Sequence, residues 1–230
     1  MDIQIVQGNE IELENSTVNI VIDVIRAFTV AHHAFLQGVD KILLVKSVEE
    51  AFQIKNDHQD YLLAGEIKGL PIEGFQLDNS PYRIQHEEVR RKTLVQRTTN
   101  GVKATLNSLN ADDVFVTGFS NARTTARYIQ KLLRDKKDST VHIIASHPTS
   151  DDDLACAEYI KGLLEGNENV TPKHVIKRIN ESEVAKKFFD STMPEFNSTD
   201  LLYCTKEIES SFVMRVNMKN EIPTIERIDV

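Results

Sequence analysis

Asp23 interrupts VNIVIDVI (18–25), an apolar run that reads as a buried strand, and Arg26 follows three positions later. Burying an unpaired carboxylate is costly, so Asp23 needs a partner. Two readings compete: a structural ion pair with Arg26, or metal ligation by Asp23 while Arg26 grips an anion through its planar fork. Perturbed carboxylates at strand ends in clefts are enriched at active sites, which favours the second. Glu66 and Lys68 follow another apolar stretch, YLLAG (61–65), either as site residues or as a solvated charge pair. Asp151, Asp152 and Asp153 open a later helical pattern. First-turn acids are favourable through the helix dipole alone, yet three in a row exceed capping needs. Together Asp23, Glu66, Asp152 and Asp153 offer hard oxygen ligands suited to Mg²⁺, which takes one or two carboxylates, keeps several waters and bridges to a phosphate.

A second kind of chemistry resides in LVQRTTNGVKATL (94–106), which begins as a strand and ends as a helix. Thr98, Thr99, Asn100 and Gly101 fall at the junction, where unpaired N–H groups and the positive end of the helix dipole favour an anion. The plainer reading is a helix cap at Thr99 or Asn100, with Gly101 easing the turn. FSNARTT (119–125) repeats the pattern around Asn121, and there the cap reading leads. Asn79 and Ser80 lie on a long irregular loop, 66–92, punctuated by Gly69, Pro71, Gly74 and Pro81. Loops of that length in compact domains are usually functional.

The elements that must position these residues alternate. KILLV (41–45) precedes SVEEAFQIKN (47–56), with Ser47 and Glu50 at capping-box spacing. TLVQR, DVFVTG and TVHIIAS are further buried-strand patterns, each followed by helical spacing. Such alternation implies a three-layer α/β/α fold with a mostly parallel or mixed sheet. The expected organisation is an α/β core domain over 1–167 and a smaller C-terminal α+β portion over 168–230. In the latter, KRINESEVAKKFFD (177–190) reads as one amphipathic helix and 211–228 as two strands. Ligands of open α/β sheets bind beyond the carboxyl ends of strands, so the polar clusters are expected to converge on one crevice.

Composition narrows the function. The 230 residues are 40% hydrophobic and carry a net charge of −8. That balance argues against a nucleic-acid partner, because phosphate neutralisation needs clustered Lys and Arg. No apolar run approaches the roughly eighteen residues of a membrane span, and no signal-peptide pattern opens the chain, so a cytoplasmic location is expected. Cys156 and Cys204 lack metal-ligand spacing and read as reduced structural thiols. His32 and His33 are adjacent rather than four apart, and Ser146 beside His147 makes no dyad. The nucleophile-elbow, dinucleotide and Walker glycine patterns are absent.

DVIRAFT (23–29), GE (65–66), GFQLDNSP (74–81), TTNG (98–101), SNA (120–122) and DDDLACA (151–157), in this order, resemble the 2-phosphosulfolactate phosphatase family, the ComB-like proteins. The resemblance implies an α/β fold and Mg²⁺-dependent removal of phosphate from 2-phosphosulfolactate, a step of coenzyme M biosynthesis or sulfolactate production. Two positions depart from the family pattern: Ile67 stands where an arginine is usual, and Asp78 where a glycine is. A catalytically silent anion-binding homologue, or a phosphatase with a shifted substrate, is therefore the alternative. On the phosphatase reading Asp23, Arg26 and Glu66 are catalytic and Asp23, Glu66, Asp152 and Asp153 hold the metal. Lys68, Asn79, Ser80, Thr98, Thr99, Asn100, Gly101 and Asn121 then contact a small anionic phosphorylated substrate. The C-terminal strands offer an edge or a cover through which a homodimer could form.

Overall fold

Val18, Ile20 and Ile22 point to one face of their strand and Val21 to the other, and all are buried, the mark of a strand covered on both sides. The computed structural model describes residues 1–10, 12–136, 138–167 and 169–230. Their elements, in chain order, begin with β1 (Asp2–Gln7), β2 (Ser16–Ile22), α1 (Ala27–Leu36), β3 (Lys41–Leu44) and α2 (Val48–Asp57). Next come β4 (Leu62–Ile67), β5 (Leu70–Pro71), β6 (Thr93–Arg97), α3 (Gly101–Leu106) and β7 (Ala111–Thr117). The chain closes with α4 (Ala122–Leu133), β8 (Thr140–Ala145), α5 (Asp151–Leu164), α6 (Pro172–Glu181), α7 (Thr199–Cys204), β9 (Phe212–Asn217) and β10 (Thr224–Asp229).

The strands form a ten-stranded mixed sheet in the order β1-β8-β2-β7-β9-β10-β3-β6-β4-β5. Two parallel blocks, β1-β8-β2-β7 and β3-β6-β4, are joined through the antiparallel β9–β10 hairpin. The fold is α/β, as expected, but the carboxyl ends of the two blocks do not share one flat edge. They meet because the sheet curls around α1, whose residues from Ala27 to Phe35 are all buried. The α1 side chains join one apolar cluster with Ile42, Leu94, Val116, Met214 and Ile225 from five different strands. Helices α4, α5 and α6 cover the other face of β1, β8, β2 and β7 around Phe115, Phe119 and Tyr159, while α2 packs Ala51 against Leu63 and Val95.

The segment beyond residue 167 is interleaved with the segment before it, since β9 and β10 sit between β7 and β3. The helix expected over 177–190 is two elements. Helix α6 ends at Glu181, Ser182 turns extended, and its hydroxyl accepts the Ala185 N–H at 3.3 Å to start a 3-10 turn, Ala185–Phe189. A serine that caps the next turn ends the preceding helix. Cys156 and Cys204 are free and buried. No helix of the described residues is long and apolar enough to cross a membrane.

Candidate active site

Asp23 follows β2 directly and is buried. Its Oδ1 accepts the Ala27 N–H at 2.9 Å and its Oδ2 the Gly101 N–H at 2.8 Å. Burial pushes its pKa up to about 7, helped by the negative charges of Glu66 and Asp152 and opposed by those two amide bonds. The ion pair weighed for Asp23 and Arg26 is not made. The Arg26 guanidinium donates to Asp200 at 2.8 Å and to the Gly69 carbonyl at 3.1 Å. It is also stacked 5.1 Å from the Phe188 ring centroid and 5.6 Å from that of Phe196. Its charge is thus neutralised inside the protein, because Asp200 is wholly buried against it and also accepts from the Ser80 hydroxyl at 2.6 Å and the Tyr82 N–H at 3.1 Å.

The junction after β6 does hold anions, but they are the protein's own carboxylates. Glu66, at the end of β4, accepts the Thr99 N–H at 2.5 Å, the Thr99 hydroxyl at 3.0 Å and the Gly69 N–H. The Gly101 N–H goes to Asp23, and the Thr98 hydroxyl accepts the Val102 N–H at 3.0 Å as a helix cap. Of the cradle expected for substrate, the Thr99 and Gly101 N–H groups and the Thr99 hydroxyl serve Glu66 and Asp23, and the Thr98 hydroxyl serves the start of α3. Helix positive ends favour whichever carboxylate lies nearest, and here two strand termini bring one each.

Asp153 ties two strand ends together, accepting from Val24 N–H at 2.7 Å, His147 N–H at 2.9 Å and the Ser146 hydroxyl at 3.0 Å. Burial, then Asp152 and Asp23, raise its pKa well above the usual range. Asp152 accepts the Ser150 hydroxyl, and burial pushes it up to about 6. Asp151 instead forms a two-pronged pair with Arg178 of α6, at 2.9 and 2.5 Å. Among the described residues, no three His, Cys, Asp or Glu side chains stand close enough to hold a metal ion between them. Asp23 and Glu66 both face the cleft, and one or two carboxylates satisfy Mg²⁺ when water and substrate complete the shell. The donor set therefore fits the ion.

The cleft has a volume of about 360 Å³. Of the residues singled out from sequence, Asp23, Arg26, Glu66, Lys68, Asn79, Thr99 and Asn100 line it. Ser80, Thr98, Gly101, Asp152 and Asp153 stand behind the wall, bonded as described. Asn121 lies elsewhere: its Oδ1 accepts from the Thr117 hydroxyl at 2.9 Å and the Gly118 N–H at 3.3 Å, fixing the turn into α4. Both departures from the family pattern also fall off the cleft. Ile67 is 40% exposed, and Asp78 pairs with Arg83 at 2.8 Å and caps Ser80 N–H at 3.1 Å beside a separate depression. Sequence reasoning missed Lys187, Phe188, Phe196 and Asp200, and it weighed His147 only within the strand-end cluster SHPTSDDD and as half of a rejected dyad; all five stand at the cleft or directly behind it. The adjacent lysines and phenylalanines of AKKFF were the one visible signal.

The fold and site define an α/β enzyme whose carboxylates open on a cleft where strand ends meet. Residues 4–227 match the family model described as 2-phosphosulpholactate phosphatase. A protein of Bacillus subtilis (strain 168) named "Probable 2-phosphosulfolactate phosphatase" is 54% identical over 228 residues, covering 99% of each chain. A protein of the same name from Clostridium perfringens (strain SM101 / Type A) is 32% identical over 221 residues, 90% of this chain and 88% of that one. The chain belongs to the 2-phosphosulpholactate phosphatase family, which places it among the phosphoric monoester hydrolases.

Proposed function

We propose that the protein hydrolyses 2-phosphosulfolactate to 3-sulfolactate and inorganic phosphate with Mg²⁺ as cofactor. The observation that carries this reading is that the carboxylates of Asp23 and Glu66, from the ends of two different strands, open on one cleft. Burial and mutual repulsion raise Asp23 to about 7, an arrangement that a divalent cation in the cleft relieves. Bound Mg²⁺ would supply charge neutralisation at the phosphoryl oxygens and a polarised water.

The chain's own residues do the rest. Asp23 and Glu66 face the cleft with their remaining lone pairs, and their orientation is set by the amides of Ala27, Gly101, Thr99 and Gly69. Such fixed donors hold both carboxylates in place, which is the form of positioning that phosphoryl transfer rewards. The oxygen of water bonds to phosphorus as the ester P–O bond breaks, and the departing C2 oxygen takes up a proton. Lys68 and the Asn100 amide offset charge at the phosphoryl oxygens. Phe188, Phe196 and Val184 wall the cleft and limit water.

The test is phosphate release from 2-phosphosulfolactate with added Mg²⁺ and with EDTA. Turnover that disappears with EDTA and returns with Mg²⁺ is expected; a rate indifferent to EDTA removes the metal from the reaction. The silent-homologue alternative drew on Ile67 and Asp78, and both lie outside the cleft.

A further inference from the structure

A substrate with phosphate, carboxylate and sulfonate groups needs cations that the protein has not already neutralised. Arg26 is paired with buried Asp200. Among the described residues Lys68 and Lys187, which both line the cleft, form no ion pair. Lys187 lies on the 3-10 turn that follows Ser182, beside Phe188, which is stacked on Arg26. Its neighbour Lys186 turns outward to Glu183 at 2.6 Å, whereas the Lys187 Nζ stands 5.5 Å from the Phe196 ring centroid. Phe196 in turn packs on Gly69, where an added Cβ would come 2.8 Å from its Cε1.

His147 adds a directed donor. Its Nδ1 accepts the Ser150 N–H at 3.0 Å and the Thr149 N–H at 3.3 Å, so the neutral ring carries its proton on Nε2. His147 and Lys187 both line the cleft. A sulfonate presents three acceptor oxygens, so one point-charge ammonium and one N–H can engage it together.

We propose that Lys187 and His147 form the subsite for the sulfonate tail, at the aromatic wall of the cleft. The inference rests on the phosphatase reading, and it makes Lys187 a specificity-determining residue. The experiment compares wild type, K187A, K187R and K187E on 2-phosphosulfolactate and on 2-phospholactate, in which hydrogen replaces the sulfonate. In parallel, calorimetry measures binding of 3-sulfolactate and lactate. The preference in kcat/KM for the sulfonated substrate is expected to fall about tenfold in K187A and further in K187E, mainly through KM, with K187R recovering most of it. An unchanged preference in K187A and K187E overturns the subsite. A wild-type protein that releases no phosphate, yet binds 3-sulfolactate more tightly than lactate in a Lys187-dependent way, sinks the phosphatase reading and keeps the subsite.

Discussion

The Gly101 amide donates to Asp23 at 2.8 Å across 78 positions of sequence, and it leaves no room for a side chain. A Cβ at Gly101 would stand 2.6 Å from Asp23 Oδ2, 2.9 Å from its Cβ and 3.1 Å from the Ala27 Cβ. The glycine is therefore required by the approach of a carboxylate, not by backbone conformation. G101A is expected to lower stability by about 1–3 kcal/mol through overpacking and kcat by about 100-fold through displacement of Asp23. Urea unfolding and steady-state phosphate release separate the two. A G101A enzyme with wild-type kcat would show that Asp23 need not be held there.

Asp23 and Asp152 make stability depend on pH in an uncommon direction. Both bind protons more tightly in the folded chain than in the unfolded one, where aspartate titrates near about 4. Their contribution is thus fully present below that value and is lost as pH rises through about 6 for Asp152 and about 7 for Asp23. Buried His32 and His33, held at about 3 and about 4, act in the opposite direction, so the loss from about pH 6 to about pH 8 in metal-free protein is expected relative to a D23N variant that keeps both histidines. Mg²⁺ should recover more at the higher pH, where it meets ionised carboxylates. Calorimetric melts of wild type and D23N in EDTA and in Mg²⁺ at both values check this; a wild-type Tm that does not fall relative to D23N as pH rises in EDTA contradicts it.

The alternation of apolar strands and amphipathic helices was legible because buried strands read as continuous runs such as KILL and TVHIIA, and because Ser47 caps α2 through Glu50 N–H at 3.2 Å, a local contact. The convergence of Asp23, Glu66 and the 98–101 junction was legible for a similar reason, since each ends a strand. The partners were not. Asp200 sits in STDLLYC with no spacing that marks it, and it meets Arg26 only because the chain returns over the cleft 174 positions later. The curling of the sheet around α1 was equally hidden, because strand order follows from long-range pairing rather than from the pattern within any strand.

The Arg26–Asp200 pair predicts a large asymmetric effect. Both side chains are buried, and removing one leaves the other charged without a partner. D200A should destabilise by about 3–5 kcal/mol, and D200N by less, since an amide still accepts from Ser80 and Tyr82 N–H. Equilibrium unfolding of the two variants decides it: equal, small losses would mean that water replaces the lost carboxylate.

Asn79 is predicted to trade stability against activity. The residue is 4% exposed, lines the cleft and leaves its Oδ1 without a hydrogen-bond partner. A buried acceptor left unmade costs on the order of 1–3 kcal/mol. That cost persists whether or not the cleft is filled, because the Oδ1 is closed off from solvent, and the Nδ2 end of the amide is the one left to meet substrate. N79A removes the orphan along with the contact, so its melting temperature should match or exceed the wild type while kcat/KM falls about tenfold. Opposite signs in the two measurements distinguish a substrate-facing amide from a structural one, whose loss would lower both together.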